Sequence, residues 1–209
     1  MINWTYEAAL NTSADLIKVA TDSKKIFNLF SNKNVVMTSS NHISGTDRVY
    51  EAVSKIGLKD NDVIINLQGD EPFINPKDIN NLFDLAAKEE VKMATLYSEL
   101  KFPSELKDLN IVKILIDNGT ATDFFRKTST KENVFIHQGI YAFKYKTLQS
   151  FVNWDPSANE KKYKLEQLRA LDNGITINAI KSISKIHLGV DTEDDLKKAN
   201  EIAKKNSHK

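Results

Sequence analysis

The sequence predicts an α/β layer fold, in which helices cover a mostly parallel sheet that also carries an antiparallel hairpin. Three observations lead to this prediction. Short apolar segments alternate with segments of helical period along nearly all of the 209 residues. The segment Val63–Leu67 is apolar apart from Asn66, as expected for a central parallel strand covered on both faces. Asn118-Gly119 separates two strand-like segments and is typical of a tight hairpin turn.

The first half of the chain alternates regularly between helix and strand. The helix predicted at 46–56 carries apolar residues at positions i, i+3, i+4 and i+7 from Val49 to Ile56, which is the stripe of a helix that covers a sheet. Asn75-Pro76 combines a helix cap with a proline in the first turn. In chain order, we predict helices at 3–12, 23–30, 46–56 and from 75, and strands at 16–20, 34–38 and 63–67.

The second half adds the hairpin and a longer β segment. We predict strands at 91–97, 111–116, 120–125, 134–143 and 175–180, and helices at about 144–151, at 160–172 and from 192. Asn173-Gly174 ends the second of these helices, and Thr192 with Asp195 resembles a capping box at the start of the third. We expect a single domain over residues 1–209, into which residues from about 111 to 143 insert as a β arm.

The composition excludes several kinds of protein. A net charge of +1 gives no electrostatic attraction to nucleic acid or to an acidic membrane surface. The chain has no cysteine, which excludes disulfides and cysteine-based zinc sites. Its histidines lack zinc-ligand spacing; they are His42, His137, His187 and His208. The sequence shows neither signal-peptide features nor an apolar segment long enough to span a bilayer, so we expect a cytoplasmic protein.

Two segments place carboxylates directly after predicted strands, where open α/β sheets bind their ligands. Asp70 follows Gln68-Gly69, and Asp191 precedes the cap of the last helix. A purely structural interpretation makes Asp70 a helix cap or an ion-pair partner, and the acids after Thr192 a favourable first turn. Asp191 is not needed for that cap. We therefore expect the two aspartates to share one Mg²⁺ that also holds substrate phosphates.

The segment Ser44-Gly45-Thr46-Asp47-Arg48 stands at the start of the helix predicted at 46–56. Free backbone N–H groups and the helix dipole make such a position attractive to an anion. The alternative is an ordinary helix cap with a solvated arginine.

Five segments in this order, SGTDR, NLQGDEPFI, HQGIY, LEQLR and GVDTEDDL, together with VATD at 19–22, resemble the 3-deoxy-manno-octulosonate (Kdo) cytidylyltransferase family. Sialic acid cytidylyltransferases share this fold, but LEQLR and GVDTEDDL are more similar to the Kdo branch. The resemblance implies a three-layer, Rossmann-like nucleotidyltransferase fold, Mg²⁺ as cofactor and a homodimer. It also implies that CMP passes from CTP to the acidic sugar Kdo, with release of pyrophosphate, for lipopolysaccharide synthesis.

The resemblance further implies roles for individual residues. Asp70 and Asp191 would hold the Mg²⁺ as the catalytic pair, and Ser44 and Gly45 would lie near the nucleotide. The sugar side would be lined by Gln68, Arg48, Arg126, His137, Tyr141, Glu166 and Gln167. The two arginines suit the sugar carboxylate, because a guanidinium can bind a carboxylate as a bidentate fork.

The chain departs from the family in two places. The family begins with a strand and a loop of the type PARxxSTRLPxKPL, whereas Met1-Ile2-Asn3 aligns with the helix that follows that loop. We therefore expect an N-terminally truncated domain with two unpaired strand edges and slow turnover. The segment RKTSTKENVFIHQ, which begins at Arg126, is short and lacks the family's proline. Two alternatives stay open: a non-catalytic sugar-binding paralogue, and a cytidylyltransferase for another acidic sugar such as sialic acid.

Overall fold

The computed structural model describes residues 1–128, 132–184 and 189–206, and its helices cover both faces of a mixed β-sheet. The helices are α1 (Ile2–Leu10), α2 (Lys24–Phe27), α3 (Gly45–Val53), α4 (Pro76–Ala87), α5 (Tyr145–Asn153), α6 (Ala158–Tyr163), α7 (Leu168–Asp172) and α8 (Glu193–Asn206). The strands are β1 (Val19–Thr21), β2 (Val35–Met37), β3 (Val63–Asn66), β4 (Met93–Ser98), β5 (Lys113–Asp117), β6 (Thr120–Phe125), β7 (Val134–Lys144) and β8 (Ile177–Lys181). A 3₁₀ turn covers Pro103–Leu106. None of the described helices has the length and apolar character needed to cross a membrane.

The strands of the described residues form two sheets. β1 and β2 pair in parallel, and the other six strands follow the order β3-β7-β4-β8-β6-β5, with a further pairing between β7 and β5. β4 and β8 are parallel, whereas β7 runs antiparallel to β3, β4 and β5. β3, β4, β5 and β8 therefore run in one direction, and β6 and β7 run in the other. The predicted α/β layer fold is confirmed. The prediction that its sheet is mostly parallel was wrong for strand pairing, because in the six-stranded sheet only β4 and β8 pair in parallel and the other described pairings are antiparallel.

The position of β3 differs from the predicted one. We expected a central parallel strand, but β3 lies at the edge of the six-stranded sheet and pairs antiparallel with β7, where Ile65 is opposite Ala142. Its side chains are still covered on both faces, because Ile64 belongs to one apolar cluster while Val63 and Ile65 pack against another. The apolar residues of β3 are therefore explained by burial on both faces of the sheet and not by a central position in the sheet.

Two apolar clusters, one on each face of the six-stranded sheet, form the core. On one face, α3 and α5 pack over Met93 and Phe143, and Leu148 of α5 is fully buried. On the other face, α4 packs over Ala94, and Leu82 of α4 is fully buried. Helices on both sides of one sheet give the predicted three layers.

Local sequence signals located some element boundaries and missed one. The hairpin between β5 and β6 turns at Asn118 and Gly119, which have φ angles of 48° and 77°, as predicted. The prediction of one helix over 160–172 was wrong. Lys164 adopts the left-handed conformation with φ 55° and ends α6, and α7 starts after a separate turn. Neither glycine nor proline marks this break, so no local signal predicts it.

The segment predicted as a β arm lies within the sheet. β7 occupies a place between β3 and β4, and the β5–β6 hairpin continues the sheet beyond β8. Whether residues near 111–143 also contact another subunit stays a prediction, as do the domain limits of 1–209.

Asp78 in the first turn of α4 ties the end of β8 to that helix. Its carboxylate is fully buried and accepts hydrogen bonds from Ser182 Oγ at 2.7 Å, Ile183 N at 2.8 Å and Ser184 N at 3.2 Å. The Ser184 hydroxyl is a fourth donor. These bonds offset the cost of burying a carboxylate and fix where the chain leaves the sheet.

Candidate active site

The ends of β1, β2 and β3 meet around the N-terminus of α3. Arg48 donates to Asp22 Oδ2 at 3.0 Å, just beyond β1, and to Thr38 Oγ1 at 2.7 Å, just beyond β2. Gly45 lies against Gln68, just beyond β3, so closely that a Cβ atom at Gly45 would be 2.9 Å from Gln68 Nε2. The SGTDR segment therefore contacts the residues just beyond β1, β2 and β3, at the end of the strands where open α/β sheets bind ligands.

Ser44 caps α3 and fixes the first turn of the helix. Its Oγ accepts a hydrogen bond from Asp47 N at 3.2 Å and donates to Asp47 Oδ2 at 2.9 Å. This helix cap is a sufficient structural reason for the Ser44 and Asp47 of the SGTDR segment. The nucleotide contacts of Ser44 and Gly45 are not tested by it and stay predictions.

Thr46 connects α3 to the sheet and to the turn before α7. Its Oγ1 accepts from Asn66 Nδ2 at 3.1 Å and donates to Glu166 Oε1 at 3.0 Å. Asn66 Oδ1 in turn accepts from Gln68 Nε2 at 3.2 Å. Thr46 and Asn66 are both buried. This chain of bonds from three distant segments sets the orientation of the Glu166 carboxylate.

The Glu166 carboxylate is bound through one oxygen. Its Oε2 atom is shielded from solvent and has no hydrogen-bond partner among the described residues. Burial raises the pKa of Glu166, while the hydrogen bond from Thr46 acts in the opposite direction. The pKa of the Tyr141 phenol is raised well above its usual value, first by burial and then by the Glu166 charge. Glu166 Oε2 is thus an acceptor with no partner among the described residues, and the role of Glu166 and Tyr141 in sugar binding stays a prediction.

His137 is a neutral, buried ring in the same region. Burial lowers the pKa of His137 to about 3. Its Nε2 lies 2.9 Å from Thr95 Oγ1, and its ring centroid is 5.4 Å from that of Tyr141 and 5.0 Å from that of Phe124. Thr95 Oγ1 also donates to Ile140 O at 2.8 Å. Because a hydroxyl has only one hydrogen, His137 Nε2 is the donor to Thr95, and His137 Nδ1 is left as an acceptor.

Asp70 and Asp191 are brought together although they lie far apart in the sequence. Val190 N donates to Asp70 O at 2.9 Å, and a Cβ atom at Gly189 would lie 3.3 Å from Glu71 Oε1. Burial raises the pKa of Asp70, and the Asp191 charge raises it further. The pKa of Glu71 is raised to about 7 by burial, and then by the charges of Asp70 and Asp191. The three carboxylates therefore interact.

The chemistry of this cluster fits a hard divalent cation. Among the described residues, no salt bridge involves Asp70, Glu71 or Asp191, so their repulsion is not offset by a basic side chain. Within the same ranges, no group of three or more His, Asp and Glu has the geometry of a metal site. Mg²⁺ commonly takes one or two protein carboxylates and completes its shell with phosphate oxygens and water. Asp70 and Asp191 suit that role, and Mg²⁺ stays a prediction.

Three other predicted sugar-binding residues have structural partners or are buried. The Arg48 guanidinium is bound to Asp22 and Thr38. Arg126 donates to Leu109 O at 2.9 Å, and Gln167 is buried at 3% exposure. Their roles in sugar binding stay predictions. His187 and His208 lie outside the described residues, and His42 contacts Glu51.

Four residues not predicted from the sequence help to form the site: Thr46, Asn66, Glu71 and Thr95. Asn66 carried a usable signal, because a polar residue directly after Val63–Ile65 interrupts an otherwise apolar strand. Threonine is common in strands and in first helical turns, so Thr46 and Thr95 gave no comparable signal.

Known proteins identify the family of the chain. Residues 1–183 match the family model described as cytidylyltransferase. The chain is 38% identical over 214 residues to a 3-deoxy-manno-octulosonate cytidylyltransferase of Photobacterium profundum, covering 95% of this chain and 86% of the relative. It is 35% identical to the protein of that name from Alcanivorax borkumensis, with the same two coverages. The chain belongs to the 3-deoxy-manno-octulosonate cytidylyltransferase family. It is therefore a nucleotidyltransferase, as the motifs implied.

Solved structures agree with the family. A CMP:2-keto-3-deoxy-manno-octonic acid synthetase complexed with CTP matches with a TM-score of 0.88 and 30% identity, covering 98% of this chain and 88% of that one. A 2-C-methyl-D-erythritol 4-phosphate cytidylyltransferase from Francisella tularensis matches with a TM-score of 0.65 at 16% identity, over 95% of this chain and 86% of that one. The second likeness concerns the fold alone.

Glu71 gives this cytidylyltransferase a testable pH dependence. The pKa of Glu71 is about 7 in the folded chain, and its ordinary value is 4.5. The folded state binds the proton more tightly than the unfolded state, so the stability that Glu71 contributes is fully present below pH 4.5 and is lost as pH rises through about 7. We expect wild type to lose up to about 3 kcal/mol relative to Glu71→Gln across this window.

The measurement is urea unfolding of both proteins without divalent metal, at about pH 5 and about pH 8. The difference between the two free energies of unfolding cancels the contribution of titrating groups that do not interact with Glu71, so its change with pH reports Glu71 together with Asp70 and Asp191. A difference that stays constant with pH would show that Glu71 ionises normally.

Proposed function

We propose that this chain transfers CMP from CTP to Kdo, releasing pyrophosphate, and that it acts as a cytoplasmic homodimer in lipopolysaccharide synthesis. Its relatives carry the name of this reaction, and one structural match is a synthetase complexed with CTP. The observation that carries the proposal is the contact between Val190 N and Asp70 O, which brings the loop after β3 beside the segment that holds Asp191. Paired carboxylates at a ligand-binding edge suit a reaction on phosphates.

In the proposed reaction, the anomeric hydroxyl oxygen of Kdo forms a bond to the α-phosphorus of CTP. The bond from that phosphorus to the bridging oxygen breaks, and pyrophosphate leaves with its electron pair. Mg²⁺, when bound, supplies positive charge against the phosphate oxygens. Asp70 and Asp191 would hold it. Asn66, the polar residue that ends β3, supports the site through its hydrogen bond to Thr46.

We expect the sugar hydroxyl groups to be bound by side chains whose protonation state does not change near neutral pH. Neutral His137 offers Nδ1 as an acceptor, and the Tyr141 phenol stays protonated because its pKa is raised. Glu166 Oε2 is the free carboxylate oxygen beside them. Such acceptors and donors match sugar hydroxyl groups, and burial strengthens each hydrogen bond.

We expect the 209-residue chain to turn over slowly. Binding a triphosphate relies on cationic side chains, whereas the resemblance assigns Arg48 to the sugar carboxylate and its guanidinium is bound to Asp22 and Thr38. A slow rate does not change which substrates we expect the site to bind.

The deciding experiment is pyrophosphate release from CTP with Mg²⁺ and either Kdo or sialic acid. Release that requires CTP, Kdo and Mg²⁺ together supports the proposal. Pyrophosphate release with sialic acid but not with Kdo would show that sialic acid, and not Kdo, is the acceptor. Kdo binding detected by calorimetry, with no release above the rate of Asp70→Asn, would identify a non-catalytic sugar-binding protein.

Glu166→Gln is expected to weaken Kdo binding without weakening the fold. Burial raises the pKa of Glu166, so above its ordinary pKa the folded chain bears a cost for ionising it, and glutamine removes that cost. The variant loses a charged acceptor, so we expect the KM or Kd for Kdo to rise roughly tenfold or more.

The measurements are Kdo titrations and urea unfolding at neutral pH. Glu201→Gln, an exposed change on α8, is the matched control and should alter neither. An unchanged affinity for Kdo in Glu166→Gln would remove Glu166 from the sugar site.

A further inference from the structure

β7 carries a bulge in the middle of its pairing with β4. Thr95 of β4 is opposite Tyr141, whereas the following residue of β4 is opposite Gln138. Within these two described strands, Gly139 and Ile140 therefore pair with no residue of β4. A bulge of this kind bends its strand and changes the direction of the side chains beside it, and bulges are common next to active sites.

The bulge brings His137 close to Tyr141. In a regular strand, Cα atoms four positions apart are separated by roughly 13 Å, because each residue advances the chain by about 3.3 Å. His137 and Tyr141 are instead opposite Tyr97 and Thr95, which are only two positions apart in β4 and therefore lie on one face of the sheet. The ring centroids of His137 and Tyr141 are 5.4 Å apart. The contact between these two predicted sugar-binding residues thus depends on the bulge.

The side chain of Thr95 connects the two sides of the bulge. Its Oγ1 lies 2.8 Å from Ile140 O and 3.3 Å from Gln138 O, which are the carbonyl oxygens on either side of Gly139. The same atom lies 2.9 Å from His137 Nε2. Thr95 is fully buried, so water does not compete for these contacts. One hydroxyl group therefore holds both the bulged backbone and the histidine ring.

This hydroxyl group also determines which ring nitrogen of His137 carries the proton. Thr95 donates its single hydrogen to a carbonyl oxygen and can only accept from His137, so Nε2 is protonated and Nδ1 is not. Nδ1 is not sealed from solvent, since Glu166 Oε2 is the one shielded polar side-chain atom without a partner in the described part of the chain. His137 keeps 9% of its surface exposed, which leaves Nδ1 accessible to a small molecule.

A threonine in a strand has an ordinary structural explanation, because β-branched residues fit a pleated sheet. Valine would meet that need with the same shape and would not bury a hydroxyl group. What valine cannot provide is the set of three contacts that Thr95 Oγ1 makes across the bulge. The hydroxyl group therefore points to a purpose beyond strand formation.

We propose that Thr95 is a positioning residue of the sugar site: its hydroxyl group fixes the bulge of β7 and the tautomer of His137, so that Nδ1 accepts a hydrogen bond from a hydroxyl group of the acceptor sugar. This role rests on the proposed function, in which Kdo is the acceptor. An unprotonated nitrogen accepts a hydrogen bond from a hydroxyl group and repels a carboxylate. The carboxylate of the sugar therefore lies away from His137.

Thr95→Val tests the tautomer directly, because it keeps the shape of the side chain and removes the hydroxyl group. A buried Nε2–H group without an acceptor is costly, so we expect the proton of His137 to move to Nδ1 in a large fraction of the molecules. Nitrogen-15 NMR of the imidazole rings measures this, since the shift of each ring nitrogen depends on whether it carries a proton. The signals of His137 are those that are absent from His137→Gln. Thr95→Ser keeps the hydroxyl group and should keep the proton on Nε2.

Calorimetry on the same variants measures the consequence for the sugar. The Kd for Kdo should rise roughly five- to tenfold in Thr95→Val, while the Kd for CTP should change less than about twofold. Thr95→Ser should stay within about twofold of wild type for both ligands. Thr122→Val is the matched control: it is an exposed change in β6 that removes a hydroxyl group bonded to Leu115 O at 3.3 Å. It should alter neither the nitrogen shifts of His137 nor the affinity for Kdo.

A proton on Nδ1 in wild-type His137 would overturn the proposal without any variant. It would equally be overturned by a proton that stays on Nε2 in Thr95→Val, or by equal Kdo affinity of Thr95→Val and wild type. A wild-type chain that binds no Kdo would reject the proposed function and, with it, the ligand of Nδ1. The nitrogen shifts need no ligand, so they would still show whether Thr95 controls His137.

Discussion

Asp70→Asn and Asp191→Asn are each expected to lower the rate of Mg²⁺-dependent CMP transfer on the order of 10²- to 10³-fold. Each change removes one anionic oxygen ligand from the proposed Mg²⁺ site and leaves the shape of the side chain almost unchanged. The folded chain should not lose stability in Asp70→Asn, because burial and the Asp191 charge already disfavour the ionised form of Asp70.

The measurement is the rate of pyrophosphate release from CTP and Kdo as Mg²⁺ is increased, alongside urea unfolding. Asp194→Asn is the matched control, since Asp194 lies close in sequence to Asp191 but is exposed and paired with Lys197 at 2.9 Å. The two site variants should need more Mg²⁺ for half-maximal rate, whereas the control should not. An unchanged Mg²⁺ requirement in either site variant would contradict the metal assignment.

A direct metal measurement separates loss of binding from loss of rate. Mn²⁺ binds oxygen ligands in the same way as Mg²⁺ and can be followed by its paramagnetism. We expect weaker Mn²⁺ binding in the presence of CTP for both site variants. Equal Mn²⁺ affinity with a reduced rate would mean that the aspartates act on the substrate and not through the ion.

The parts of the fold predicted correctly are those that depend on neighbours in sequence. The Asn118-Gly119 turn needs positive φ angles, and Asn75-Pro76 caps a helix with its own side chain. The capping box at Thr192 and Asp195 is equally local. Such signals require no knowledge of the partner strand, so a single sequence is enough to find them.

The errors arose where distant segments decide the structure. The apolar residues of Val63–Leu67 indicate a strand that is buried on two faces. They do not indicate its place in the sheet, because that depends on pairing with β7, which lies far along the chain. The break at Lys164 has no local signal and accompanies packing of α6 against α7. The same limit applies to the site. Motifs indicated Glu166 and Gln68 separately, and only the fold shows that Thr46 and Asn66 connect them.

Arg169→Met is expected to lower the free energy of unfolding by about 3 to 5 kcal/mol. Arg169 Nε and one terminal nitrogen donate to the two carboxylate oxygens of Glu160 at 2.8 and 2.6 Å, and the two side chains are 3% and 12% exposed. The guanidinium also stacks 4.6 Å from the ring centroid of Phe151. The variant leaves the Glu160 carboxylate nearly buried without a cation, and that uncompensated charge is the main source of the loss.

A double variant distinguishes this cause from lost packing. Arg169→Met combined with Glu160→Gln removes both charges, so it should recover a large part of the stability. Lys161→Met, an exposed change on α6, is the control and should stay within about 0.5 kcal/mol of wild type in urea unfolding. Equal losses in the single and double variants would mean that the arginine stabilises α5, α6 and α7 by packing on Phe151. Arg169 follows Glu166 and Gln167 by less than one helical turn. Either result therefore also measures how much Arg169 stabilises the segment that carries these two predicted sugar-binding residues.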